Sequence, residues 1–145
     1  MLDETYKHIL MCYDGSKNAE KALMKAVNVA KRNEARLSVV HIIHKDNPQF
    51  EVIKPSNFQS EADQHAEEIR RHVEAVMERA DFKAFEVLID TGNPKTKITY
   101  DYIDDLGADL VICGHTGMDS YDKMDMGSTS ENIVRYSSVD VMVIK

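Results

Sequence analysis

Residues Gly114 to Ser130, GHTGMDSYDKMDMGSTS, combine three glycines, several hydroxyl side chains and three aspartates. Glycine lets a backbone approach a ligand closely, and the N–H and hydroxyl groups at the start of a helix bind phosphate. Carboxylates repel phosphate unless a cation lies between them. The glycines and hydroxyl groups therefore favour a phosphate-binding loop, whereas the aspartates favour the opposite unless a cation intervenes.

Two interpretations fit the end of this stretch. Gly127 to Ser130 leads into a helical segment, so its free N–H groups and the helix dipole would form an anion site. Ser128 and Glu131 also match the Ser-x-x-Glu capping box, in which the serine only caps the helix. The residues by themselves leave both interpretations open.

The hydrophobic pattern predicts an α/β fold with a mostly parallel sheet, because five strand-like runs alternate with helical segments. The predicted strands are residues 8–13, 37–43, 85–89, 110–113 and 139–144. The first predicted helix begins after Ser16, and the other three cover about 66–80, 98–106 and 128–137. Lys45 to Ser60 has two prolines and no period, and we expect a long surface loop. In such sheets ligands bind beyond the carboxyl ends of the strands, where Gly114 lies.

Composition predicts one compact domain, residues 1–145, since 43% of the chain is apolar. The net charge of -7 argues against a nucleic-acid surface. We expect neither a signal peptide nor a membrane span, because no apolar run approaches about 18 residues. Cys12 and Cys113 are expected to be buried free thiols in a reducing cytoplasm.

Four motifs, in order along the whole chain, resemble those of the universal stress protein family of the ATP-binding type. They are the glycine spacing Gly114-x2-Gly117-x9-Gly127-Ser128, the first-loop motif Tyr13 to Ser16, the strand ending Val39 to Ile42, and the last strand Val139 to Ile144. The resemblance implies strand order 3-2-1-4-5 with helices on both faces, Rossmann-like, and ATP across the carboxyl ends of strands one and four. It also implies a homodimer joined through residues 139–144.

The same resemblance assigns residues to the two ends of the nucleotide. Tyr13, Asp14 and Ile42 would line the adenosine end, and Gly114, Gly117, Gly127, Ser128, Thr129 and Ser130 would take the ribose and phosphates. The implied function is a regulatory, ATP-binding stress-response protein. Its nucleotide occupancy would set conformation or partner choice, with at most slow ATP hydrolysis.

Acidic residues depart from the family pattern. The insert between the second and third glycines contains three aspartates, Asp119, Asp122 and Asp125, but a single lysine, Lys123. They should weaken the binding of bare triphosphate and could hold magnesium or manganese shared with the phosphates. Asp14 is a further candidate ligand, although it could equally be an Asx-type turn residue ahead of the first helix.

Other functions stay open. An enzyme on a related α/β scaffold, such as a nucleotide hydrolase or transferase, lacks its expected motifs here, since no Gly-Lys-Ser/Thr ending of a P-loop is present. A phospho-receiver would use Asp90 but needs a second acid beside Asp14. A dimeric interaction module without nucleotide is the third alternative. His115 has no partner at zinc-ligand spacing, and His41 and His44 are expected to be ordinary strand-end residues.

Overall fold

The structure, a computed structural model, describes residues 5–44, 55–116 and 126–145. Its sheet has five parallel strands in the order β3-β2-β1-β4-β5, which confirms the predicted fold class and strand order. The strands are β1 (His8–Cys12), β2 (Arg36–Ile43), β3 (Phe85–Thr91), β4 (Leu110–Gly114) and β5 (Asp140–Ile144). The helices are α1 (Lys17–Asn33), α2 (Pro55–Arg79), α3 (Pro94–Thr96), a π-helical turn (Lys97–Tyr102), α4 (Ile103–Leu106) and α5 (Ser128–Tyr136).

The central strand β1 is buried on both faces, which is why its sequence is a continuous apolar run rather than an alternating one. Ile9, Leu10 and Met11 have no exposed surface. Side chains of α1 and α2 cover the face that carries Ile9 and Met11, and side chains of the π-helical turn, α4 and α5 cover the face that carries Leu10. Helices on both faces leave the carboxyl edge of the sheet as the natural place for a ligand.

The turn between β1 and α1 is fixed by local hydrogen bonds. The Asp14 carboxylate accepts from the Ser16 N–H at 2.9 Å, which confirms the Asx-type turn. Gly15 has a φ of +84°, a left-handed conformation that glycine adopts without strain. The Ser16 hydroxyl accepts from the Ala19 N–H at 3.1 Å and caps α1, as its position predicts.

One prediction about local structure is wrong, and one of the two interpretations of Ser128 is excluded. The loop expected over Lys45 to Ser60 is too long, because α2 begins at Pro55; proline suits a first helical position, where no N–H partner is needed. Ser128 is not the cap of α5. That position belongs to Gly127, whose backbone is extended and which makes no side-chain cap, while Ser128 is already the first helical residue.

The predicted strand boundaries agree with the structure within two residues. The helix predicted over 98–106 begins earlier, at Pro94, and consists of α3, the π-helical turn and α4, which Gly107 ends with a φ of +67°. Within the part of the chain that the structure describes, no helix is both long enough and apolar enough to span a bilayer.

The two serines make a matched pair for a stability test. We expect Ser16→Ala to lower the free energy of unfolding by about 1 kcal/mol, because the cap of α1 is lost. Ser128→Ala should leave it unchanged within error, since the Ser128 side chain caps nothing. Urea denaturation of both variants checks this. Equal losses in the two variants would contradict the assignment of the caps.

Candidate functional site

The carboxyl edge of the sheet brings together most of the predicted site residues. Tyr13 and Asp14 follow β1, Ile42 lies near the end of β2, Gly114 ends β4, and Gly127 to Ser130 begin α5. Gly117, Asp119, Asp122 and Asp125 lie outside the described residues. Strand order reverses between β1 and β4, so this edge is the expected ligand crevice of the fold.

Two hydrogen bonds tie the start of α5 to the end of β4, and a third ties the end of β4 to β5. The Gly127 N–H donates to the His115 carbonyl at 2.8 Å, and the His115 N–H donates to the Ile144 carbonyl at 2.8 Å. The Ser130 hydroxyl donates to the Gly114 carbonyl. The hydroxyl of Ser130 is therefore engaged within the protein, and the N–H group is what Ser130 could offer to a ligand.

The first turn of α5 has the features of an anion site. The Glu131 N–H donates to the Gly127 carbonyl at 2.9 Å and is the first N–H group bonded within the helix. The N–H groups of Ser128, Thr129 and Ser130 precede it, and the N-cap residue, Gly127, offers them no side chain. Unpaired N–H groups and the positive end of the helix dipole together favour negative charge.

Asn18 fixes the start of the loop that follows β4. Its Oδ1 accepts from both the N–H group of Thr116, at 2.8 Å, and the hydroxyl group of Thr116, at 3.2 Å. Gly114 packs against the same residue, because a Cβ atom at Gly114 would lie only 3.1 Å from the Asn18 backbone. Asn18 was not predicted as a site residue, because a polar residue in the first turn of a helix has no distinctive sequence signature.

Tyr13 directs its side chain away from the crevice. The phenol donates to the Glu20 carboxylate on α1, and its ring stacks on His72 of α2 at 6.1 Å. Burial, and then the bond to Glu20, raise the pKa of Tyr13 above its usual range. What Tyr13 presents at the carboxyl edge is therefore its peptide group, next to Asp14.

From the sequence we expected His41 to be an ordinary strand-end residue, but the structure gives it a buried hydrogen bond. His41 is 6% exposed, and its Nδ1 lies 2.7 Å from the Tyr13 carbonyl oxygen. Since a carbonyl only accepts, Nδ1 carries the proton of this bond. Burial lowers the pKa of His41 despite this bond, so the ring is held neutral. The neighbouring Ile42 packs with Val40 and Ile98 on the opposite face.

The carboxylate of Asp90 is engaged in hydrogen bonds within the protein. It accepts from Lys97 Nζ and the Tyr102 hydroxyl, each at 3.0 Å, and from the Thr91 N–H at 2.8 Å. Burial opposes ionisation of Asp90, but these hydrogen bonds hold its pKa below the usual range. Burial and the bond to Asp90 raise the pKa of Tyr102 to about 12. A carboxylate with three donors is poorly suited to accept a phosphoryl group, which disfavours the phospho-receiver.

The cysteines and acids of the described residues form no catalytic or metal cluster. Cys12 and Cys113 are free thiols, and burial raises the pKa of both, to about 11 for Cys113. No group of three or more His, Cys, Asp or Glu residues is placed to hold a metal ion in residues 5–44, 55–116 and 126–145. A metal ion at this edge would thus depend on the nucleotide or on the insert.

Comparison with known proteins gives consistent matches. The model of the universal stress protein family matches residues 5–145. A universal stress protein homologue of Staphylococcus haemolyticus is 37% identical over 141 residues, which cover 97% of this chain and 86% of that protein. The solved structure of the universal stress protein UspA from Lactobacillus plantarum is 28% identical, covers 99% of this chain and 100% of its own, and has a TM-score of 0.80.

Two more distant solved structures hold nucleotides. A universal stress protein in complex with cAMP is 20% identical, with 98% of both chains covered and a TM-score of 0.71. One from Archaeoglobus fulgidus in complex with dAMP is 19% identical, with 97% of this chain and 98% of that chain covered and a TM-score of 0.67. At these identities the likeness concerns the fold. The family model and the curated relative are decisive: the chain belongs to the universal stress protein family.

Proposed function

We propose that the chain binds an adenine nucleotide, ATP in particular, across the carboxyl ends of β1 and β4. Nucleotide occupancy would set the conformation or the choice of partner in a stress response. The observation that carries the proposal is the first turn of α5, whose N–H groups receive no side-chain cap from the N-cap residue, Gly127, at the edge where strand order reverses. Relatives of the same fold that hold cAMP and dAMP support an adenine nucleotide.

The described residues suit the two ends of such a ligand. The N–H groups of Ser128, Thr129 and Ser130 offer donors to phosphate oxygens, and the dipole of α5 adds a favourable field. The adenosine end would lie toward the Tyr13–Asp14 peptide and Ile42, where polar backbone meets an apolar surface. The protein would detect bound ATP by its charge and shape, and its conformation would change at α5 and at the loop after β4.

We propose regulation rather than catalysis, with hydrolysis at most slow. His41 and Asp90 could each serve as a general base elsewhere, but here both make structural hydrogen bonds. The Ser130 hydroxyl is likewise bonded to the Gly114 carbonyl. The two free thiols are compatible with a reducing cytoplasm, where we propose that residues 1–145 act as one domain.

A charge change at the start of α5 separates helix stability from ligand binding. We expect Ser128→Asp to leave the apo protein as stable as wild type or more stable by about 0.5 kcal/mol, because a carboxylate suits the helix dipole. The same carboxylate repels phosphate, so ATP affinity should fall about tenfold or more. Calorimetric titration with ATP, together with urea denaturation, measures both effects.

Ser128→Asn is the matched control, since it has nearly the same size without the charge. It should bind ATP like wild type within about threefold, a difference of about 0.7 kcal/mol. Equal ATP affinity for the Asp and Asn variants would contradict a phosphate at this helix. If wild type gives no heat with ATP, ADP or AMP, with and without magnesium, the proposed function fails altogether.

The aspartates of the insert give a second proposal: that nucleotide binding depends on magnesium or manganese. A cation that bridges carboxylate and phosphate oxygens would convert repulsion into attraction. Replacing Asp119, Asp122 and Asp125 together by asparagine should raise ATP affinity in chelator and shrink the gain from added magnesium. Calorimetric titrations under both conditions test this. A triple variant that matches wild type in both would make these side chains ordinary solvated surface.

We also propose a homodimer joined through Val139 to Ile144. Among the described residues β5 is an edge strand that pairs with β4 alone, and an apolar open edge favours pairing with another strand. The Ile144 carbonyl accepts from His115 on the β4 side, so by alternation Val141 directs its N–H toward the open edge.

Proline substitutions on β5 test this dimer. Val141→Pro should give a folded monomer, because it removes an outward donor and keeps the ladder with β4. Met142→Pro, by the same alternation, should break that ladder and destabilise the fold. Light scattering gives the mass and circular dichroism the folding. A monomeric wild type, or a dimeric Val141→Pro variant, would contradict the proposal.

A further inference from the structure

We propose that His41 is a positioning residue for the adenosine end of the site, an inference that rests on the proposed nucleotide binding. The His41 ring donates from Nδ1 to the Tyr13 carbonyl at 2.7 Å. The Tyr13 carbonyl belongs to the peptide that continues into Asp14, and His41 itself is followed by Ile42. One side-chain hydrogen bond thus joins the two backbone segments that carry the adenosine-end residues.

The pairing of β1 with β2 explains why a side chain is needed at this point. Their register ends with the pair Cys12 and Val40, and the Tyr13 N–H still donates to the Val40 carbonyl at 2.9 Å. The next donor of a regular parallel ladder would be the Ile42 N–H, directed at the Tyr13 carbonyl. Here the His41 ring supplies that donor, so the spacing of the two segments depends on the imidazole.

The imidazole is itself held rigidly. Its ring meets the Tyr13 ring edge-on, with centroids 6.4 Å apart, and lies 5.3 Å from the ring of His65 on α2. The Tyr13 ring is in turn fixed by the Glu20 carboxylate and His72. Contacts with α1 and α2 therefore orient the His41 ring, and the hydrogen bond from that ring positions the Tyr13 peptide at the adenosine end.

Two substitutions separate positioning from simple packing. His41→Leu keeps a buried side chain of similar bulk and removes the donor. His41→Asn keeps an N–H donor near the position of Nδ1. Calorimetric titrations with AMP and with ATP, on both variants and wild type, measure the affinities, and circular dichroism confirms that each variant is folded.

We expect His41→Leu to lose about tenfold in affinity, the size of one hydrogen bond. The loss should be the same for AMP and ATP, because the two ligands share the adenosine end. His41→Asn should restore most of it. A general loosening of the edge would instead cost ATP more than AMP, since the triphosphate would make more contacts with the first turn of α5 than a single phosphate.

Three outcomes overturn the inference alone: His41→Leu binds both nucleotides like wild type, ATP loses more affinity than AMP, or His41→Asn fails to restore binding. Absence of binding in wild type would be a different failure, because it would refute the proposed function and the role of His41 with it.

Discussion

The parallel pairing of β1 with β4 brings together the two loops on which the proposed site depends. Ile9 to Met11 lie in register with Leu110 to Ile112. β1 pairs with β2 on its other side, so the chain reverses its order of strands at this point, with α1 and α2 on one face and α4 and α5 on the other. The carboxyl ends of the two strands therefore lie side by side where strand order reverses, which is where ligands bind in open parallel sheets.

Strand pairing alone does not fix these loops, and side-chain hydrogen bonds complete their placement. Asn18 holds Thr116 after β4, His41 holds Tyr13 after β1, and Ser130 holds the end of β4 against α5. Each such bond contributes about 1 kcal/mol, which is small beside the buried core but large enough to select one loop geometry. Gly127, the N-cap residue of α5, has no side chain to cap the N–H groups of the first turn, and the proposed site relies on those groups to attract an anion in a chain of net charge -7.

Periodicity and turn residues were enough to predict the alternating elements, and the family resemblance supplied the strand order. What failed or was missed depends on contacts between distant residues. The helical start at Pro55 has no apolar periodicity that would predict it. Gly127 rather than Ser128 is the cap of α5, and its N–H group donates to the carbonyl of His115, which follows β4. His41 looked ordinary, because its partner at Tyr13 is distant in sequence and becomes adjacent only when β1 pairs with β2.

Backbone amide shifts during an ATP titration, followed by two-dimensional 1H–15N NMR, test the central claim most directly. Binding across β1 and β4 predicts the largest saturable changes at the N–H groups of Ser128 to Ser130 and of Asp14 to Ser16. The face of α1 that carries Lys25, Asn28 and Arg32, a shallow basic groove remote from this edge, should change little. Saturable shifts confined to that groove, or no shifts anywhere, would contradict the account.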